Sequence, residues 1–231
     1  KGVFENMVAV WEPTLIIAIY ATIITVVIAI PVGILSATHR NSLLDYFVSS
    51  ASTVSMTIPT VCWALLLCYF LAYKLDIFPI MGYTYMAKGS FWKSVYCVLL
   101  PSISLGLHHV ASMARLTRST MLDVLNQDYI RTARAKGVPP VKIIFGHALK
   151  NSLIPVITYF GPMLAYIVTG SLVVEQIFAV PGIGRAFVSS ITNRDYPLIM
   201  GTTIVLASLI VIMNLISDIM YKIVDPRITL E

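Results

Sequence analysis

Three observations predict an all-α fold, a polytopic bundle of transmembrane helices. Of 231 residues, 58% are hydrophobic and only 12% are charged. The mean hydropathy is +0.85. Five apolar stretches reach the roughly 20 residues that a helix rising 1.5 Å per residue needs to cross a hydrocarbon core. A soluble domain carries about 25% charged residues, twice this chain's share, so much of its surface must face lipid. The stretches lie at 14–37, 47–73, 95–114, 153–174 and 198–221, and they predict one membrane domain over 1–231 with five spans.

The first stretch is too long for the apolar region of a cleavable signal and has no basic segment before it. The chain begins at Lys1 rather than Met, which suggests a segment of a longer protein with sequence upstream. The second stretch opens with Ser49, Ser50, Ser52, Thr53, Ser55 and Thr57. Such small polar residues favour close helix packing, although they would also suit a hydrated pathway. Pro31, Pro59, Pro101 and Pro162 interrupt four of the stretches, and each permits a kink. In the third, the neighbours His108 and His109 point about 100° apart on a helix and are poorly placed to share an ion, so hydrogen bonding is expected and no metal. In the last, Asn214 and Asp218 share a face; Asp218, with Asp225 and Arg227, is expected to hold the end of that span, with a transport role as the alternative. Cys62, Cys68 and Cys97 have neither disulfide nor metal-ligand spacing and read as small apolar packing residues.

Charge predicts the sidedness. Ten of the 16 Lys and Arg fall in the segments at 38–46, 115–152 and 222–231, which places these in the cytoplasm by the positive-inside rule. Seven of the ten lie at 115–152, too long for a simple helix connection. This loop reads as two short helices. Asp128 or Asn126 can cap the first, Arg131, Arg134 and Lys136 suit its C-terminal end, and Gly137 supplies a left-handed stop. Pro139 and Pro140 then open a second helix near Val141. Tyr129 and Ala133 are four apart on one face of the first helix, and the small Ala133 would let another surface approach. An interfacial helix lying on anionic headgroups would have the same charge pattern.

The run Asp128-Tyr-Ile-Arg-Thr-Ala-Arg-Ala-Lys-Gly137, followed by His147-Ala-Leu-Lys-Asn-Ser-Leu-Ile-Pro155, resembles the signature loop of binding-protein-dependent ABC importer permeases. That loop carries a Glu-Ala-Ala triplet, three further residues and Gly; here Arg131-Thr132-Ala133 stands at the triplet and Gly137 at the Gly. Arg131 in place of Glu and Lys150 in place of Pro both look like the dipeptide, oligopeptide and nickel branch. So do Glu175-Gln-Ile-Phe-Ala-Val-Pro-Gly-Ile-Gly-Arg185, Arg194-Asp-Tyr-Pro197 and Asp225-Pro-Arg227.

The resemblance implies a type I importer permease core lacking one N-terminal helix, in a bacterial or archaeal cytoplasmic membrane. Its implied partners are a second, homologous permease subunit, two cytoplasmic ATPase subunits and an external substrate-binding protein. Segment 115–152 would be the coupling loop, engaging the ATPase through Asp128, Tyr129, Arg131, Ala133, Arg134 and Gly137. Read from its own residues, the external segment holding Glu175, Pro181, Gly182 and Gly184 breaks any helix at Pro181-Gly182-Ile183-Gly184. The apolar Ala186-Phe187-Val188 after it suggests a short helix tucked back against the bundle as a gate or a docking surface, with a plain loop as the alternative. The implied cargo is a dipeptide or oligopeptide, with nickel complexes or other small solutes as alternatives.

The chain contains no Gly-Lys dipeptide and hence no Walker A loop, so ATP-Mg is expected on the partner subunits and no cofactor on this chain. It has no His-Glu-x-x-His helix and no Gly-x-Ser-x-Gly elbow, which leaves an enzyme reading without support. Its basic residues are scattered without a recognition motif, against nucleic-acid binding. An ion-gradient-driven secondary transporter and a membrane scaffold without transport remain as competing classes, separable by co-purification with an ATPase.

Overall fold

The computed structural model describes residues 3–83 and 91–224, excepting the side chains of 3–9, 170, 217, 218 and 220–224. The chain runs through α1 (Val3–Thr38), α2 (Leu43–Thr57), α3 (Thr60–Lys74), α4 (Phe91–Leu125), α5 (Asp128–Ala135), α6 (Pro140–Ile177), α7 (Ile183–Thr192) and α8 (Tyr196–Val224). No strand occurs among the described residues. Asp225, Arg227 and the side chain of Asp218 lie outside them.

Among the described residues, four helical stretches are long and apolar enough to cross a membrane alone: Val10–Thr38, Phe91–Leu125, Pro140–Ile177 and Tyr196–Ile216. The stretch expected as one helical span over 47–73 is instead two helices, α2 and α3, bent by 105° at the break between them. Pro59 breaks it, with φ −57° and ψ 146°. Proline has no N–H for the helical ladder and drives the residue before it out of the helical region. Helix continues through Pro31, Pro101 and Pro162, so of the four expected interruptions only Pro59 ends a helix. The end of α3, Cys68–Lys74, winds as a π-helix.

The expected loop at 115–152 is largely helical. α4 continues to Leu125 because residues 115–125 include neither Gly nor Pro and are mostly good helix formers. α6 begins at Pro140 and passes through a π-wound stretch, Ile143–Ala148, into its long apolar part. Arg115 and Arg118 therefore belong to a membrane-length helix rather than to a connection.

The chain divides into two compact units, each discontinuous in sequence. The first comprises Lys1–Ile24, Ile58–His108 and Pro162–Leu215. Its core contains Ile17, Leu100, Leu105, Ile167, Val174 and Phe178, all buried. Ser102 donates to the Ile17 carbonyl at 3.3 Å, tying α4 to α1.

The second unit comprises Thr25–Thr57, His109–Gly161 and Ile216–Glu231. Ile34, Ala37, Met121, Ile130, Ile143 and Ala148 form its core. Here α1 and α4 approach closely at Gly33, where an added Cβ would lie 2.7 Å from the Ala114 carbonyl oxygen. Small residues at such crossings let helix backbones pack where lipid offers no hydrophobic drive. The turn before α2 places Asn41 at φ 63° and is held by buried Asp45. Asp45 accepts from Ser36 Oγ at 2.6 Å, from the Asn41 N–H at 3.0 Å, and from Arg118 Nε and Nη2 at 2.5 and 2.7 Å.

Candidate functional site

The signature segment lies in the second unit as α5 and the turn after it. Its first residue is Asp128, and the N-cap position belongs to Gln127, which makes no side-chain cap hydrogen bond. The caps expected from Asp128 or Asn126 are thus corrected: Asp128 lies inside the first turn, where its charge favours the helix dipole. Its carboxylate sits 3.7 Å from Arg131 Nη1, an exposed pair worth at most about 1 kcal/mol.

The end of α5 is sharply defined. Gly137 takes φ 74°. Its N–H donates to the Arg134 carbonyl at 3.0 Å, and the Val138 N–H donates to the Ala133 carbonyl at 3.2 Å. This pair of bonds is the Schellman arrangement, which satisfies carbonyls that have no partner within the helix. Pro139 at ψ 144° then starts α6 at Pro140.

The faces of α5 differ in burial. Ile130 is fully buried in the core of the second unit, and Ala133, three residues on, packs half-buried against the same cluster. Ala133 therefore packs in part against this chain's own core, and the rest of its surface stays open beside Tyr129. The outward surface carries Asp128, Tyr129, Arg131, Thr132, Arg134 and Ala135. Tyr129 is 42% exposed, and its hydroxyl accepts from Asn151 Nδ2 at 2.9 Å, which fixes α5 to α6. Arg134 and Arg40 border a cavity of about 450 Å³ floored by Leu125, Ile143 and Ile144. Ile130→Val, which removes one methylene from this core, should lower the stability of the second unit by about 1 kcal/mol. A shift in the thermal unfolding midpoint measures it, and an unchanged midpoint would mean that Ile130 does not hold α5 in place.

The second constellation lies in the first unit. α6 ends at Ile177, and Ala179 takes the left-handed conformation at φ 53° while the Val180 N–H donates to the Glu175 carbonyl at 2.9 Å. After Pro181, Gly182 caps α7 with extended backbone. The expected short helix is thus present at Ile183–Thr192, and the segment is not a plain loop.

Glu175 is fully buried and joins these parts. Its Oε2 accepts from the Gly184 and Arg185 N–H groups at 2.8 and 3.2 Å, and its Oε1 accepts from Thr14 Oγ1 at 2.7 Å. Thr14 Oγ1 in turn accepts from the Ile183 N–H at 2.9 Å. Three amides of the first turn of α7, which no helical carbonyl can reach, are thereby satisfied by a carboxylate from α6 and a hydroxyl from α1. The glycines are required by proximity. A Cβ on Gly182 would overlap Glu175 Oε2, and one on Gly184 would overlap Leu172 Cα. Arg185 Nη1 donates to the Ala179 carbonyl at 2.7 Å and closes the turn.

Glu175, Pro181, Gly182 and Gly184 thus come together, whereas the signature residues form a separate group. Thr14 was not singled out from the sequence, since 161 residues separate it from Glu175. Asp45 and Arg118 were missed for the same reason. His109 Nδ1 lies 3.3 Å from Tyr159 Oη, and the His108 ring stacks near Tyr166. Among the described residues, no group of His, Cys, Asp and Glu is arranged to hold a metal ion.

Comparison with known proteins agrees with this architecture. The chain is 44% identical to the oligopeptide transport system permease protein AppB of Bacillus subtilis, over 98% of this chain and 72% of that protein. It is 44% identical to the dipeptide transport system permease protein DppB of the same organism, over 91% of this chain and 66% of the relative. The dipeptide permease DppB of Escherichia coli K12 matches at 32% identity over 98% and 73%. The chain thus spans about two thirds to three quarters of these relatives. Its fold matches a chain of the MetNI methionine ABC transporter with a TM-score of 0.76 at 18% identity, covering 96% of this chain and 97% of the other. Residues 29–230 match the family described as the inner membrane component of binding-protein-dependent transport systems, and the chain belongs to that family.

Proposed function

We propose that this chain is the permease subunit of an ATP-driven importer that carries dipeptides or oligopeptides across the cytoplasmic membrane. The observation that carries the reading is α5: a short polar helix anchored from within by Ile130, with Asp128, Tyr129, Arg131 and Arg134 turned outward, in a chain without a phosphate-binding loop. Such a surface suits an ATPase partner that pushes on α5, and the Schellman turn at Gly137 transmits the push to α6. Relatives named for dipeptide and oligopeptide transport support the cargo. The braced helix α7 serves on the external side of the membrane as a gate or as the docking surface for the substrate-binding protein. A homologous second permease completes the assembly, and ATP-Mg is held by the ATPase subunits.

The deciding experiment is ATP-dependent uptake of a labelled dipeptide and an oligopeptide into vesicles that contain the full complex and its binding protein. Uptake of neither would end the peptide reading. Sidedness is tested separately in intact cells with an impermeant thiol reagent: Asn193→Cys in the turn after α7 should react and Lys136→Cys should not. The reverse pattern would invert the proposed topology.

A further inference from the structure

A small polar cavity in the second unit has no role in the reading above. Arg115 and Arg118 lie three residues apart on α4 and so share a helix face. With Ser49, Ser52 and Thr53 of α2 they line a cavity of about 160 Å³. The α2 residues follow the same rule, at spacings of three and four.

The charges in this cavity do not cancel. Asp45 holds Arg118 through Nε and Nη2 and compensates that guanidinium. The other hydrogen bonds of this carboxylate, from Ser36 and Asn41, are internal to the α1–α2 turn. Among the described residues, no ion pair involves Arg115. The cavity therefore keeps one positive charge, beside a second guanidinium that is fixed in orientation. Thr53 Oγ1 donates to the Ser49 carbonyl at 2.9 Å, while Ser49 and Ser52 bring hydroxyl donors. Ionisable groups in membrane helices face protein interior or hydrated cavities and accompany pathways or specific ligands. A planar guanidinium fork matches the geometry of carboxylate and phosphate oxygens.

We propose that this cavity binds an oxyanion, with Arg118 as a fixed donor through the N–H groups that Asp45 leaves free and Arg115 as the cation that closes on the ligand. The oxyanion is the terminal carboxylate of a transported peptide or the phosphate of a membrane lipid. The carboxylate source rests on the peptide reading; the phosphate source does not.

The test uses the full complex in vesicles with Ser49→Cys as the probe position and Cys62, Cys68 and Cys97 replaced by Ser. The thiol should react at least about tenfold faster with a sulfonate-bearing reagent, relative to a trimethylammonium reagent, than it does when Arg115→Gln is added. Arg115→Lys should restore most of that preference. Arg115 is exposed, and its replacement leaves the Asp45–Arg118 pair intact. Protection by trialanine but not by trialaninamide assigns the site to the peptide carboxylate. Protection on adding phosphatidylglycerol to phosphatidylcholine vesicles, abolished by Arg115→Gln, assigns it to lipid phosphate. A reagent preference independent of Arg115, protection by neither ligand, or a thiol inert to both reagents would each overturn the proposal. Peptide uptake by the wild-type complex, measured alongside, separates the two readings: its absence removes the carboxylate source and leaves the lipid arm decisive.

Discussion

Gly137→Pro is expected to abolish coupled uptake while the chain still folds and inserts. Gly137 sits at φ 74°, which proline, held near −65°, cannot adopt. The substitution also removes the N–H that donates to the Arg134 carbonyl at 3.0 Å and displaces the Val138 bond to Ala133. A loss of about 3 kcal/mol at this turn leaves α5 without a defined geometry relative to the start of α6. Uptake in vesicles should fall more than tenfold, with ATP hydrolysis no longer stimulated by the loaded binding protein. Gly137→Ala is the graded control, because an added Cβ there meets nothing within 4 Å and only the left-handed backbone costs about 1 kcal/mol. It should retain most of the uptake. Wild-type coupling in the proline variant would remove α5 from the mechanism. Ala133→Arg, attractive from the sequence alone, is a poorer probe, since Ala133 packs against the second unit's core and the variant would disturb folding and docking together.

Gly184→Ala should be among the most damaging single-methyl additions in the first unit, costing about 3 kcal/mol. The new Cβ would overlap Leu172 Cα and lie 2.8 Å from Leu172 Cδ2, so backbone and not merely a flexible side chain must move. The displaced turn would also pull the Gly184 and Arg185 amides from Glu175, leaving those donors and Glu175 Oε2 without each other. Thermal unfolding and yield of the purified complex are the measurements. Gly146→Ala is the internal comparison, since its Cβ would meet only Lys142 Cγ at an ordinary 3.7 Å. Equal stability of the two variants would mean that the Glu175 brace does not hold α7.

Much of this protein is decided locally, and that part was legible in the sequence. The all-helical, membrane-spanning character follows from runs of apolar residues, because crossing hydrocarbon requires a minimum helix length whatever the neighbours are. The stop at Gly137 and the start at Pro140 follow from the backbone preferences of single residues. The short helix after Pro181 and Gly182 follows in the same way.

Tertiary structure decided the rest. The sequence marks four prolines alike, yet only Pro59 ends a helix, because neighbouring packing determines whether a freed carbonyl and a bend can be accommodated. It marks Tyr129 and Ala133 as one face but gives no sign that Ile130 is buried beside them and that Ala133 packs in part on the same cluster. It gives no sign that Thr14 meets Glu175 across 161 positions, or that Asp45 meets Arg118 across 73. Helical hydrogen bonds form within four residues along the chain, so composition and periodicity report them. The partner of a buried carboxylate is chosen by which helices pack together, and that exists only once the bundle has assembled.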